Sequence, residues 1–150
     1  MLDRFLGMAS SQGFRPRIPN AVAFAKRSAV LLLEHAVSGV GVDLTISRLP
    51  FDSEAVERAR LVVMEDLEFP LVTPEDLIIM KAVAHRPQDI QDIQAVVRAN
   101  SGLDVGRIRT HVQAFARALD MPELWKDIAR LLKSRKATAS RKASKTRKGK

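Results

Sequence analysis

Val40-Gly-Val-Asp-Leu-Thr-Ile-Ser47 alternates with a period of two. Val42, Leu44 and Ile46 fall on one side, and Gly41, Asp43, Thr45 and Ser47 on the other. That pattern is a half-buried β-strand. Just upstream, Ala29-Val-Leu-Leu-Leu-Glu-His35 is a short apolar run, and Ala36-Val-Ser-Gly39 between the two reads as a turn. The pair predicts an antiparallel hairpin. Pro50 stops the second strand, and Asp52 or Ser53 can cap a helix to about Arg60, with Val56 and Ala59 inward. Leu61 to Met64 and Leu67 to Val72 are two further strand candidates around the acidic pair Glu65-Asp66.

Further along, the pattern turns helical. Thr73-Pro-Glu-Asp76 is a strong helix start: a threonine cap, proline at the first helical position and acids in the first turn. The helix runs from Leu77 to His85, and Pro87 breaks it. Asp89 to Asn100 is amphipathic through Ile90, Ile93, Val96 and Val97. Helices from Leu103 to Leu119 and from Pro122 to Leu132 follow; the first of these, with His111 and Phe115, reads as core packing. In the other direction, Met1 to Gln12 reads as a short amphipathic helix with Leu2, Phe5, Leu6 and Ala9 on one side, ended by Gly13. Pro16 and Pro19 bracket an extended stretch, and a second short helix covers Asn20 to Arg27 with Val22, Phe24 and Ala25 partly inward. Strands followed by helices predict an α+β fold: a small mixed sheet with a hairpin, then a helical C-terminal half.

The chain has 150 residues, 46% of them apolar, enough for one domain with a real core. It has no cysteine, which excludes disulfides and thiolate metal sites and suits a cytoplasmic location. No apolar run approaches the ~20 residues of a membrane span, and Asp3 with a short apolar stretch argues against a signal peptide. The formal charge of +8 is concentrated at one end. Lys133, Arg135, Lys136, Arg141, Lys142, Lys145, Arg147, Lys148 and Lys150 are nine of the 25 basic residues, and that segment has no acid. The remainder then carries sixteen basic residues against 17 acidic ones, a net of −1. The division expected is a domain over 1–132 and a basic tail over 133–150, too polar to bury a core and so disordered by composition. The tail reads either as a solubilising extension or as a non-specific contact to nucleic acid; having no aromatics, it does not suggest base stacking.

Two groups of residues can carry chemistry. Asp43 stands on the polar side of a strand, which would place a carboxylate rigidly, as a Mg²⁺ site needs. The plainer alternative is an exposed acid on a half-solvated sheet. Lys81 and His85 share one helix face, and Asp89 and Asp92 share a face of the next. Lys81 lies in a helix apolar almost all round, so it must emerge at a cleft or pair with an acid. Lys81, Arg86, Asp89 and Asp92 either shape a ligand cleft or tie two helices together by ion pairs. His35, His85 and His111 lack any short metal-ligand spacing, and no glycine-rich phosphate loop is present.

Gly41-Val-Asp-Leu44 on a strand, Pro50-Phe-x-x-Glu-Ala55, two small strands and then Thr73-Pro-Glu-Asp-Leu-Ile-x-x-Lys-x-x-Ala-x-Arg-x-x-Asp-x-x-Asp-Ile93 resemble the nucleotidyltransferase fold. The likeness is nearest to the minimal nucleotidyltransferases and the abortive-infection AbiEii-type toxin proteins, and covers roughly Gly13 to Leu132. It implies a metal-dependent transfer of a nucleotidyl group from an NTP to an acceptor, with Mg²⁺ held by three carboxylates. Asp43 matches the third of these, Lys81 would lie near the nucleotide phosphates with Arg86, and Asp89 and Asp92 would shape or buttress the cleft. The first two carboxylates belong to an Asp-x-Asp motif after a glycine turn, and none stands ahead of Asp43. The expectation is therefore a chain corresponding to the later part of such a protein, with two of the three metal carboxylates missing and catalysis weak or absent. The alternative is a non-catalytic remnant of the same fold that binds nucleic acid or a protein partner such as an antitoxin.

Overall fold

The computed structural model describes residues 2–133, so the expectation of a disordered nucleic-acid-binding tail, including Arg135, Lys136, Arg141, Lys142, Lys145, Arg147 and Lys148, lies outside the described residues apart from Lys133. The chain divides into two compact units at Glu54/Ala55.

In the first unit, α1 (Leu2–Ser11) leads into β1 (Phe14–Pro16), and α2 (Ala21–Ser28) into the hairpin of β2 (Val30–His35) and β3 (Gly41–Thr45). The three strands form an antiparallel sheet with β2 in the middle, in which Leu33 faces Val42, Leu32 faces Asp43 and Leu31 faces Leu44. The hairpin closes through the Gly39 and His35 amides, which donate to the His35 and Val40 carbonyls at 2.8 and 2.9 Å. Gly39 takes a φ of 69°, a turn conformation that side chains disfavour. Leu31 and Leu33 send their side chains to one face, where Ala21 and Ala25 of α2 seal the core. Leu2, Leu6 and Ala9 of α1, and Phe14, Ile18, Val42, Leu44 and Ile46, pack around it. The i, i+4, i+7 spacing of Leu2, Leu6 and Ala9 matches the expected face, but Phe5 points away and is exposed.

The second unit opens with the end of α3 (Pro50–Glu57), followed by a separate two-stranded antiparallel sheet of β4 (Arg60–Met64) and β5 (Leu67–Leu71). Four helices complete it: α4 (Pro74–Ala84), α5 (Pro87–Ala99), α6 (Val105–Ala118) and α7 (residues 123–133). Ile78, Ile79 and Ala82 of α4, Ile93 and Val97 of α5, Ile108, Val112 and Ala116 of α6, and Leu124, Ile128 and Leu132 of α7 are buried at helical spacing. The helix α4 packs on both α5 and α6.

The α+β class holds. The strands, however, form two antiparallel sheets rather than one mixed sheet: β2–β3 and β4–β5 are direct hairpins, and β1 pairs antiparallel with β2 although α2 lies between them. The helix α3 also begins at Pro50, ahead of the expected cap. Its buried residues are Phe51 and Ala55, while Val56 is 73% exposed. Asp52 instead accepts the backbone N–H groups of Arg48 and Leu49 at 3.0 and 3.1 Å, bracing the loop before the helix. Among the described residues, no helix is long and apolar enough to cross a membrane.

Candidate functional site

On the edge strand β3, Gly41, Asp43 and Thr45 face away from the core, so the Asp43 side chain is 62% exposed. Arg17 reaches it: its backbone N–H donates to the Leu32 carbonyl at 3.1 Å, extending β1 beside the residue that faces Asp43, and its Nη2 donates to Asp43 Oδ1. Gly41 leaves room for that arm. A Cβ there would stand 2.8 Å from Arg17 Nη1. One row along, Arg15 Nη2 donates to Glu34 Oε1 at 2.7 Å. The polar face thus carries two short ion pairs in solvent. Each of them contributes about 1 kcal/mol or less to stability. Asp43 is fixed in position by the strand, and only one guanidinium would have to move for it to meet a cation.

In the second unit, Lys81, Arg86, Asp89 and Asp92 come together where α4 turns into α5. His85 ends α4 with a φ of 50°, Arg86 is the N-cap of α5 and Pro87 opens it. Asp89, at the third helical position, is 1% exposed and accepts three bonds from Arg86: backbone N–H at 3.1 Å, Nε at 2.7 Å and Nη2 at 3.1 Å. Lys81 Nζ lies 2.6 Å from Asp92 Oδ2 and 3.5 Å from Asp89 Oδ1. The Arg86 side chain foremost, then its backbone N–H and the nearby charges, hold the Asp89 carboxyl down to about 2 against the opposing effect of burial. The bond to Asp92 raises the Lys81 ammonium above its ordinary value. The four sequence-predicted residues are therefore one neutral cluster of two cations and two anions joining two helices. Asp43 belongs to the other unit.

By sequence, Asp76 is an ordinary first-turn acid. It is fully buried. Thr73 Oγ1 donates to its Oδ2 at 2.8 Å and accepts its backbone N–H at 3.2 Å, completing the helix cap. Arg58 Nε donates to Oδ2 at 3.1 Å and Arg107 Nε to Oδ1 at 2.7 Å. Burial pushes the carboxyl up, but the bonds from Thr73, Arg107 and Arg58 together outweigh it and hold the group below its ordinary value. At the end of the same helix, His85 Nε2 is buried 3.3 Å from Asp127 Oδ2 without the geometry of a hydrogen bond.

Among the described residues, no three His, Asp or Glu side chains gather as a metal site. Mg²⁺ needs an octahedron of oxygens, and Asp43 offers it one carboxylate. The residues present fit a contribution to a magnesium site rather than a complete one.

Fold and sites together define an α+β protein with an acid on an edge strand and a helical half organised around two buried carboxylates. The chain belongs to the family described as "Nucleotidyl transferase of unknown function (DUF2204)", whose model matches residues 32–129, nearly two thirds of its length. The matched span runs from β2 into α7 and includes Asp43, Asp76, Lys81, Arg86, Asp89 and Asp92. No curated protein matches the chain.

Proposed function

We propose that the reaction class of this chain is transfer of a nucleotidyl group from an NTP to an acceptor, and that Asp43 is the carboxylate its first unit gives to the divalent metal. The supporting observation is the placement of Asp43: inside the family span, on a strand, with its carboxylate in solvent and engaged by a single movable guanidinium. In this class an acceptor hydroxyl oxygen bonds to the α-phosphorus, the bond from that phosphorus to the α–β bridging oxygen breaks, pyrophosphate leaves and the hydroxyl proton passes to solvent. Magnesium, when bound, neutralises the phosphate charge. In the second unit, Lys81 is the proposed phosphate contact, with a quarter of its side chain exposed. A phosphate can replace Asp92 on Nζ while Asp89, pinned by Arg86, keeps the ammonium in place. Isothermal titration of Mg·NTP into the full chain and its Asp43→Ala variant tests the assignment. Heat lost in the variant supports it; equal binding, or none by the native chain, counts against it.

A second reading has an observation of its own: Arg17, Lys81 and Arg86 are each already engaged by a carboxylate. That arrangement suits a non-catalytic module that binds nucleic acid, or a protein partner such as an antitoxin, with the charge of Lys133 to Lys150 as the source of attraction for nucleic acid. RNA affinity that survives removal of those residues would dismiss the nucleic-acid form of this reading.

A further inference from the structure

The hairpin of β4 and β5 leaves one strand edge open. A two-residue turn, Glu65-Asp66, joins the strands, and Met64 faces Leu67 across it. Antiparallel pairs alternate between bonded and non-bonded, and the pair flanking such a turn is bonded. Val62 with Phe69 and Arg60 with Leu71 are then the other bonded pairs. Leu61 opposite Pro70 and Val63 opposite Glu68 are non-bonded. The position of Pro70 agrees, because a proline has no N–H to give the ladder there. The outer edge of β5 is consequently protected by that missing donor and by the charge of Glu68. The outer edge of β4 has no such protection. Leu61 and Val63 direct both N–H and C=O outward, and no backbone partner receives them among the described residues. Their side chains are 67% and 69% exposed. Native edge strands are usually blunted by charge, proline or a bulge. This one carries only apolar residues between Arg60 and the turn.

We propose that β4 pairs antiparallel with β4 of a second copy of this chain, forming a four-stranded sheet across a two-fold axis at Val62. In that register Leu61 of one copy faces Val63 of the other, twice. Each strand then uses both outward N–H groups and both outward carbonyls, and the exposed leucine and valine side chains pack on one another. Charge selects the same partner. The two-fold lays Arg60 against Met64 of the second copy, one residue from its Glu65-Asp66 turn. Arg60, Glu65 and Asp66 are exposed and without ion-pair partners among the described residues. The edge is therefore complementary to itself in hydrogen bonds, apolar contact and charge, as a two-fold interface requires. Two five-residue strands bury less than the ~1,200 Å² of a stable complex, so the dimer is weak and concentration-dependent.

Sedimentation velocity of the full chain, over concentrations up to ~1 mM, the scale of weak association, tests the proposal. Four proteins are compared: the native chain, Val63→Pro, Arg60→Glu, and Arg60→Glu combined with Glu65→Arg and Asp66→Arg. Val63→Pro removes one outward N–H while leaving the β4–β5 ladder its own bonds, and circular dichroism checks that the variant folds. The charge variants alter exposed side chains only and keep the test open should the proline variant fail to fold. The expected pattern is dimer in the native chain, at least tenfold weaker association in Val63→Pro and in Arg60→Glu, and recovery in the triple variant. A native chain that stays monomeric, a dimer that survives in folded Val63→Pro, or a triple variant that does not recover overturns it.

Discussion

Arg107 Nε lies 2.7 Å from Asp76 Oδ1, so a residue in the first turn of α6 neutralises a carboxylate buried in the first turn of α4. Arg58 reaches the other oxygen of the same carboxylate from the segment before β4. Asp76 is thus held in a dry site by two cations and a hydroxyl. Taking away one partner of a buried pair leaves the other charge uncompensated, which costs about 3–5 kcal/mol. Asp76→Ala should destabilise the chain by that amount in urea unfolding. Arg58→Ala should cost far less, because 42% of that side chain already meets solvent. An Asp76→Ala loss below about 1 kcal/mol would show that the two arginines find new partners or water.

The acid limb of the stability profile should come from two carboxylates. Asp89 titrates at about 2 in the folded chain against an ordinary value of 3.8, and Asp76 is also lowered. A depressed folded value means the unfolded chain binds protons first. The stabilisation is therefore complete above about 4 and is lost as pH falls towards about 2. Urea midpoints measured across that window should drop, and Asp89→Asn should flatten part of the drop. Lys81 acts in the opposite sense. Its raised value gives stability that is present below its ordinary 10.5 and fades as pH climbs through the folded value.

Much of this arrangement is legible in the sequence because it is local. Thr73-Pro-Glu-Asp76 announces the helix, and Thr73 does cap it. The alternation of Val42 and Leu44 against Asp43 is the strand as observed, and Ile46, just past its end at Thr45, still packs on the core. The face of α3 differs because Pro50, permitted at a helix start, begins the helix ahead of Asp52 and so brings Phe51 into it, and Phe51 with Ala55 four positions on takes the buried face in place of Val56. By its position alone Asp76 is only an acid suited to the helix dipole. Its arginines lie 18 and 31 positions away, at distances no periodicity encodes. Lys81 and Asp92 are 11 apart across a helix break, so their spacing left open whether they meet, and the structure joins them. The open edge of β4 was hidden for a similar reason: the two strands were legible, but which groups point outward depends on their register.

Gly41 should control the availability of Asp43. Gly41→Ala brings a methyl within 2.8 Å of Arg17 Nη1, and the guanidinium, at the end of a flexible arm, is what gives way. Stability should change by less than about 1 kcal/mol, because the pair it breaks is in solvent. The carboxylate then stands without its counter-charge. On the proposed role of Asp43, Mg²⁺ should bind this variant more tightly than the native chain, and Asp43→Ala should abolish the gain. Equal Mg²⁺ affinity in Gly41→Ala and the native chain would indicate that Asp43 is not a ligand.

Nucleic-acid affinity should separate cleanly from the sites around Asp43 and Lys81. All net positive charge of the chain is carried by 133–150, since the remainder sums to −1. If the tail meets duplex DNA, each phosphate it neutralises adds about −0.9 to the slope of log affinity against log salt. A chain ending at Leu132 should lose both the affinity and the slope. Lys81→Ala should leave both unchanged, because the attraction comes from the basic segment and the remainder of the chain has no excess of positive charge. Fluorescence anisotropy with a labelled duplex at several salt concentrations distinguishes the cases. A truncated chain that keeps the native slope would place the phosphate contacts on the folded units, and Arg15 and Arg17, on the exposed face of the three-stranded sheet, would be the first residues to replace.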